Sequence, residues 1–409
     1  MTHIVNSVQL EVTCPDEDMS FNLRQNFAQT FQLQIAEIID TVCSAYVSEN
    51  ESIKIDKLEL DLGSFSRHTF DTEFRKVLDI KLQQELADKL SKIAPAKRQV
   101  SRQVSNTEIL LYFLTNGTLP WFADETTIDI DEICQDVFLN QANTFGSFFY
   151  SHRFKTNIWK RVLWQLNDRS KELVIGLSAD IQKAKEVFIN WVAKLSEKIP
   201  GLKSDELQMV FSKINDLLIE NASAIYSGFN NDKVLAQIFK AHIDAILNKD
   251  RKLRAEANLE FINIVHTVPL NQETAIEVRQ ENKTYSVKEI FAEAETENAV
   301  EKYNVKNAGV VLLAPFLRSF FKELNLLDGD GWKNPESAHR AVHLLKFLSH
   351  GQTTMPEYSL VFEKILCSLP VDEPVPLHIV LEETEMEEGL SLLKAVITHW
   401  RALKNTSVE

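Results

Sequence analysis

Glycine and proline are scarce in this chain, 11 of each across 409 residues, and that scarcity limits what it can fold into. Turn-rich all-β folds draw on both residues at every reversal, whereas helix interiors exclude them. The expected fold class is therefore mainly α. Hydrophobic residues at 44% and charged residues at 25% match ordinary globular usage, and the length suits two or three domains. With a net charge of −15, nucleic acid and anionic membranes are not expected partners. The N-terminal MTHIVNSVQLEV leads into no apolar signal core, and no apolar run is long enough to span a bilayer, so the expected location is cytoplasmic. Cys14, Cys43, Cys134 and Cys367 lack the close pairing of metal or redox sites and are expected to be buried free thiols.

Periodicity divides the chain. Residues 4–12 alternate apolar and polar, which predicts a half-buried strand. Phe27, Phe31, Ile35, Ile38, Val42 and Tyr46 recur every three or four residues, the signature of a helix. The stretch SIKIDKLELDLG predicts a second strand with a bulge at Asp56 and Lys57, where the alternation slips. Phe70 to Leu90 then read as another helix, so residues 1–94 are expected to form a small β-α-β-α module. A polar, basic linker is expected at 95–106. Residues 107–285 read as one amphipathic helix after another, a multi-helix body of α-solenoid-like or irregular packing. It contains an Asn-Gly turn signal in NGTLPWF. An acidic hinge is expected at 286–305 and a C-terminal helical domain at 306–409. In that last part Pro315 fits a first helical turn, Gly351 and Pro370 close two helices, and PVDEPVP forces an extended connection. Thr384 and Glu387 have the spacing of a capping box opening the final helix.

Chemistry finds little support. His339 and His343 stand four apart on a predicted helix, a spacing that metal sites use, but Arg340 occupies the place of a metalloprotease base and the neighbours are apolar. Structural or partner-contact histidines are the stronger reading. Glu59 and Asp61 share the polar face of the second predicted strand, where a solvated or partner-facing surface outweighs a cation site. No phosphate-binding glycine loop and no nucleophile elbow is present. No cofactor and no enzymatic activity are expected. Trp121, after a turn and a proline, is open between binding anchor and core, while Trp400 is expected in the core of the last helix.

Four stretches, IDKLELDLG at 55–63, NGTLPWF at 116–122, NAGVVLLAPFL at 307–317 and the long block from 340 to 407, resemble the tape measure proteins of contractile injection systems. The last block is the most specific of them. The resemblance implies a non-catalytic component of a particle in which a sheath surrounds a cargo-carrying inner tube, with a role in setting tube length. It implies inner tube and baseplate or hub proteins as partners, effectors as further ones, and incorporation into the particle. Asp56, Leu58, Glu59, Asp61, Gly63, Trp121, Asn307, Pro315, His343, Trp400, Lys404 and Asn405 are its candidate structural or partner-contact residues. Family members usually continue past LKNTS, so a shortened form or a fragment is expected here. A ruler acting by extension would be a long helix with sustained heptads, whereas these helices have broad apolar faces that favour compact packing. Two readings follow: a non-enzymatic assembly factor, and a helical scaffold or chaperone that holds effectors or tube subunits.

Overall fold

The computed structural model describes residues 35–46, 57–66, 69–92, 102–199, 201–267 other than 203, 229–231 and 249, and 307–399, with scattered positions in 5–25 and at 55, 303 and 305. Among them the chain is mainly helical, and the one sheet is a two-stranded ribbon. It divides into two compact units, residues 1–106 with 121–124 and residues 107–120 with 125–409. No described helix is long and apolar enough to cross a membrane.

In the first unit, α1 (Ala36–Tyr46) packs on α2 (Phe70–Lys92). The buried residues of α2 are Phe74, Leu78, Leu82, Leu86 and Leu90, a strict four-residue spacing that keeps one stripe against Ile35, Ile38 and Val42. The predicted strands are corrected here. Residues 8–14 and 57–66 belong to no strand, and Val8 and Val12 are exposed. The alternation in IDKLELDLG is real: Leu58, Leu60 and Leu62 pack on the helical core, while Lys57, Glu59 and Asp61 face outward. Among the described residues no strand lies beside it, and an extended segment can bury alternate residues on helices with no ladder. Asp56 lies outside the described residues.

The second unit begins with α3 (Arg102–Asn116, of which residues from 107 belong here), followed by α4 (Ile130–Ser151), α5 (Thr156–Gln165), α6 (Asp168–Gly176), α7 (Ala179–Lys198), α8 (Ser204–Ser212), α9 (Ile214–Glu220), α10 (Ala222–Gly228), α11 (Asp232–Ile246) and α12 (Arg251–Thr267). The side chains of Asp129, Asn167 and Ser178 cap the N-termini of α4, α6 and α7. The packing is no stack of equal repeats, since α6, α8, α9, α10 and α12 all touch α7. Its Trp191 is ringed by Phe188, Phe239 and Phe261 at centroid distances of 5.7, 5.4 and 5.1 Å. Only Tyr303 and Val305 of the expected acidic hinge fall among the described residues.

A 3-10 turn at Ala308–Leu313 leads into α13 (Ala314–Glu323), with Pro315 in its first turn. The ribbon of β1 (Leu327–Asp328) and β2 (Gly331–Trp332) follows in antiparallel register, then α14 (Pro335–His350), a 3-10 turn at Glu357–Ser359, α15 (Val361–Leu366) and α16 (Glu383–His399). Gly351 closes α14 at φ 69°, with its N–H donated to Phe347. The expected capping box at Thr384 and Glu387 is displaced. Glu385 instead reaches back to the Glu382 N–H at 2.7 Å and also holds Arg340, so the available carboxylate sets the cap two residues earlier.

Candidate functional site

The segment Pro370 to His378 contains three prolines, Pro370, Pro374 and Pro376, and a chain so poor in N–H groups pairs only at its end, where His378 bridges Thr354. Its carbonyls must find donors elsewhere. Five side chains supply them, Asn157 reaching Asp372 O at 3.4 Å. The Lys364 ammonium donates to Val371 O at 2.9 Å, Arg161 donates to Asp372 O, Gln165 donates to Val375 O at 2.6 Å, and His343 Nε2 lies 2.8 Å from Pro376 O. In return the Leu377 N–H donates to Trp164 O at 3.3 Å. Residues 371–378 thus form a strap clamped to α5, α14 and α15.

Arg161 is the centre of the clamp and is fully buried. It lies one turn before Gln165 on the face of α5 that also buries Ile158 and Val162. All five guanidinium N–H groups are used. Nε donates to both Glu357 oxygens at 3.2 and 3.1 Å, Nη1 to Leu114 O and Thr115 O at 3.0 and 2.9 Å, and Nη2 to Glu357 Oε1 at 3.1 Å and to the strap. Lys364 meets the same Glu357 oxygen at 2.7 Å, and Gln165 accepts the Glu357 N–H at 3.0 Å. Burial pushes the Glu357 carboxyl up from its ordinary value, opposed by Lys364 and Arg161, and pushes the Lys364 ammonium down. One carboxylate faces two cations, and the carbonyl dipoles of residues 114, 115, 371 and 372 offset the remaining positive charge.

Gly117 lets the clamp close. It ends α3 at φ 73°, and a Cβ there would lie 2.1 Å from Glu357 Oε1 and 2.6 Å from Arg161 Nη2. The Asn-Gly signal of NGTLPWF therefore marks a helix C-cap pressed against a buried ion cluster, where a side chain has no room. A second cluster lies beside it. Glu363, fully buried, accepts from Asn307 and sits 3.7 Å from Lys346, which donates to Ser359 O at 3.0 Å. Its Oε2 has no hydrogen bond, and burial raises its pKa.

Both helix-borne histidines are buried, which favours their uncharged forms. His339 presents its ring edge to Trp164 at 5.8 Å, and burial, with Lys160, His343 and Lys364 nearby, lowers its pKa to about 4. Burial also lowers that of His343. Since its Nε2 faces a carbonyl, Nε2 carries the proton, and Nδ1 is left buried with no hydrogen bond. His343 Nε2 serves the strap, and no group of three side chains able to hold a metal occurs among the described residues. All four cysteines are free; Cys134 and Cys367 are buried, Cys14 and Cys43 half-buried.

The sequence-predicted positions divide among the clamp, other parts of the second unit, the first unit and residues outside those described. Asn307 and His343 join it, and Pro315 only starts a helix. Leu58 is packed, Glu59 pairs with Lys57 on the surface, and Asp61 accepts the Gly63 N–H at 3.0 Å. Trp121 is 39% exposed and edge-on to Phe122. Trp400, Lys404 and Asn405 lie outside the described residues. Sequence reasoning missed Arg161, Gln165, Glu357 and Lys364. The available signal was Arg161 and Gln165 on the apolar stripe of α5, together with a proline-rich segment whose carbonyls needed donors.

The family model described as contractile injection system tape measure protein matches residues 2–409. No curated protein and no solved structure matches the chain.

Proposed function

The chain belongs to the contractile injection system tape measure protein family, and on that premise we propose that it is a non-enzymatic factor in inner tube assembly and length control that works as a folded body. The match over nearly the whole chain carries the family half of this reading. The clamp supports the folded-body half: Gly117 of NGTLPWF lies against Arg161 and Glu357, and Asn307 donates to Glu363, so three of the stretches that carry the resemblance converge on it. The longest described helix has 23 residues, about 35 Å at 1.5 Å per residue. Extension of one continuous helix is therefore not the mode of action proposed; contact with inner tube and baseplate or hub proteins through the folded surface is. Electron microscopy of particles from a strain lacking this gene, beside its parent, tests the role. Missing particles or tubes of scattered length are expected. Particles of normal number and one length would overturn it and leave effector holding as the reading to pursue.

A further inference from the structure

Where α4 passes into α5 the chain reads Tyr150-Ser151-His152-Arg153-Phe154-Lys155, and its two large rings are exposed, Tyr150 by 61% and Phe154 by 56%. Phenylalanine is ordinarily drawn inside. The interior beside this turn is already filled by a stack in which Phe149 lies 5.1 Å from Trp159 and Trp159 lies 6.1 Å from Tyr226. Arg153 serves both exposed rings, its Cζ 4.4 Å from the Tyr150 centroid and 4.8 Å from that of Phe154, contacts in which the ring faces attract the cation. The turn itself is fastened. The Arg153 carbonyl accepts from Trp159 Nε1 at 3.0 Å and from Ser223 Oγ at 3.1 Å, Arg153 Nη1 donates to Tyr150 O at 2.6 Å, and the Lys155 N–H donates to His152 O at 2.8 Å. Rings and guanidinium are thus ordered before anything binds, which lowers the entropic cost of association.

Tyrosine, phenylalanine and arginine are the residue types enriched where proteins meet. Charge decides the kind of partner. Neither Arg153 nor Lys155 has a carboxylate within ion-pair distance among the described residues, although acidic side chains outnumber basic ones by 59 to 44. A guanidinium held against ring faces keeps N–H groups on its edge for a carboxylate, the planar match that arginine favours. One arginine and one lysine in a chain of net charge −15 make a poor seat for a polyanion. We propose that Tyr150, Arg153 and Phe154 form a docking ledge for an acidic segment of a partner protein, with a carboxylate on Arg153 and an adjacent apolar side chain across the two rings. The overall negative charge opposes long-range attraction of such a segment, so contact with the rings supplies the affinity and Arg153 the selectivity for carboxylate. Binding at the ledge is read without particles and is separate from the role in tube assembly.

The test is fluorescence anisotropy on the full chain with a labelled peptide carrying an Asp-Leu-Glu-Leu core. Control peptides with Lys-Leu-Lys-Leu and Asp-Ser-Glu-Ser cores separate charge from apolar contact, and a labelled oligothymidine represents nucleic acid. The acidic apolar peptide is expected to bind about ten-fold more tightly than either control, and R153A and Y150A/F154A are each expected to weaken it about ten-fold. R153K, which keeps the charge and loses the planar fork, is expected to fall between R153A and the parent. Absence of saturable binding, equal binding of either control peptide, equal binding by R153A, or preference for oligothymidine would each overturn the proposal. Should Y150A/F154A fold poorly, R153A decides alone, since it leaves both rings and the carbonyl bonds of residue 153 in place and is expected to keep the melting temperature of the parent.

Discussion

The helices around α7 and the clamp around α5 lie in one compact unit and are held together by different physics. Around α7 the interior is aromatic and aliphatic, with Phe188, Trp191, Phe239 and Phe261 in mutual contact. Such a core tolerates changes that conserve volume, and its strength depends little on pH. Around α5 the interior holds Arg161, Glu357, Glu363, Lys346 and Lys364, each less than a tenth exposed. There every group depends on a specific partner, because a buried charge that loses its counterpart retains its desolvation cost. The first kind of core supplies stability; the second specifies which segments meet.

Removing one charge from the clamp should show the largest effect. Arg161→Met leaves Glu357 and three carbonyls short of donors, and a loss of about 3–5 kcal/mol is expected in urea denaturation. Much of it should return in R161M/E357M/K364M, where no buried charge is left unpaired; a single variant within about 1 kcal/mol of the parent would erase the distinction between the two regions. Phe239→Ala is expected to cost about the same 3–5 kcal/mol, but with the same value at pH 5 and pH 7.5, and a pH-dependent loss there would break the comparison from the other side.

Next comes the acid response. His339 is expected to remove up to about 3 kcal/mol as pH falls from 6.5 toward 4, since its folded pKa of about 4 lies below the free value. Melting temperatures of the parent should fall over that window, and those of H339F should fall less. Gly117→Ala places a Cβ against Glu357 in a left-handed conformation, at a cost of roughly 1–3 kcal/mol from crowding. The smallest change belongs to Arg318→Ala, whose pairing with Asp330 is 71% and 87% exposed; less than about 0.5 kcal/mol is expected.

Much of the helical layout was legible. The stripe in α2, the proline at the start of α13 and the glycine closing α14 follow from spacing and backbone preference, which are local properties. The N-terminal strands were misread for an equally local reason. Alternation in IDKLELDLG reports that one side of an extended segment is buried, and is silent on whether a strand or a helix covers it. His343 stood out in the sequence and belongs to the clamp, but as the neutral donor to a strap carbonyl, a role that needs Pro376 at 2.8 Å.

What the sequence determined by itself is a mainly helical chain whose prolines and glycines punctuate its elements, and a family resemblance borne by short stretches. Tertiary structure alone decided that Arg161 meets Glu357 across 196 residues and Asp372 across 211. Periodicity assigns a residue to a face, and a charged residue on an apolar face reads as a flaw until its partner is in place. The energy of a buried charge lies in its surroundings, and those exist only after the chain has folded.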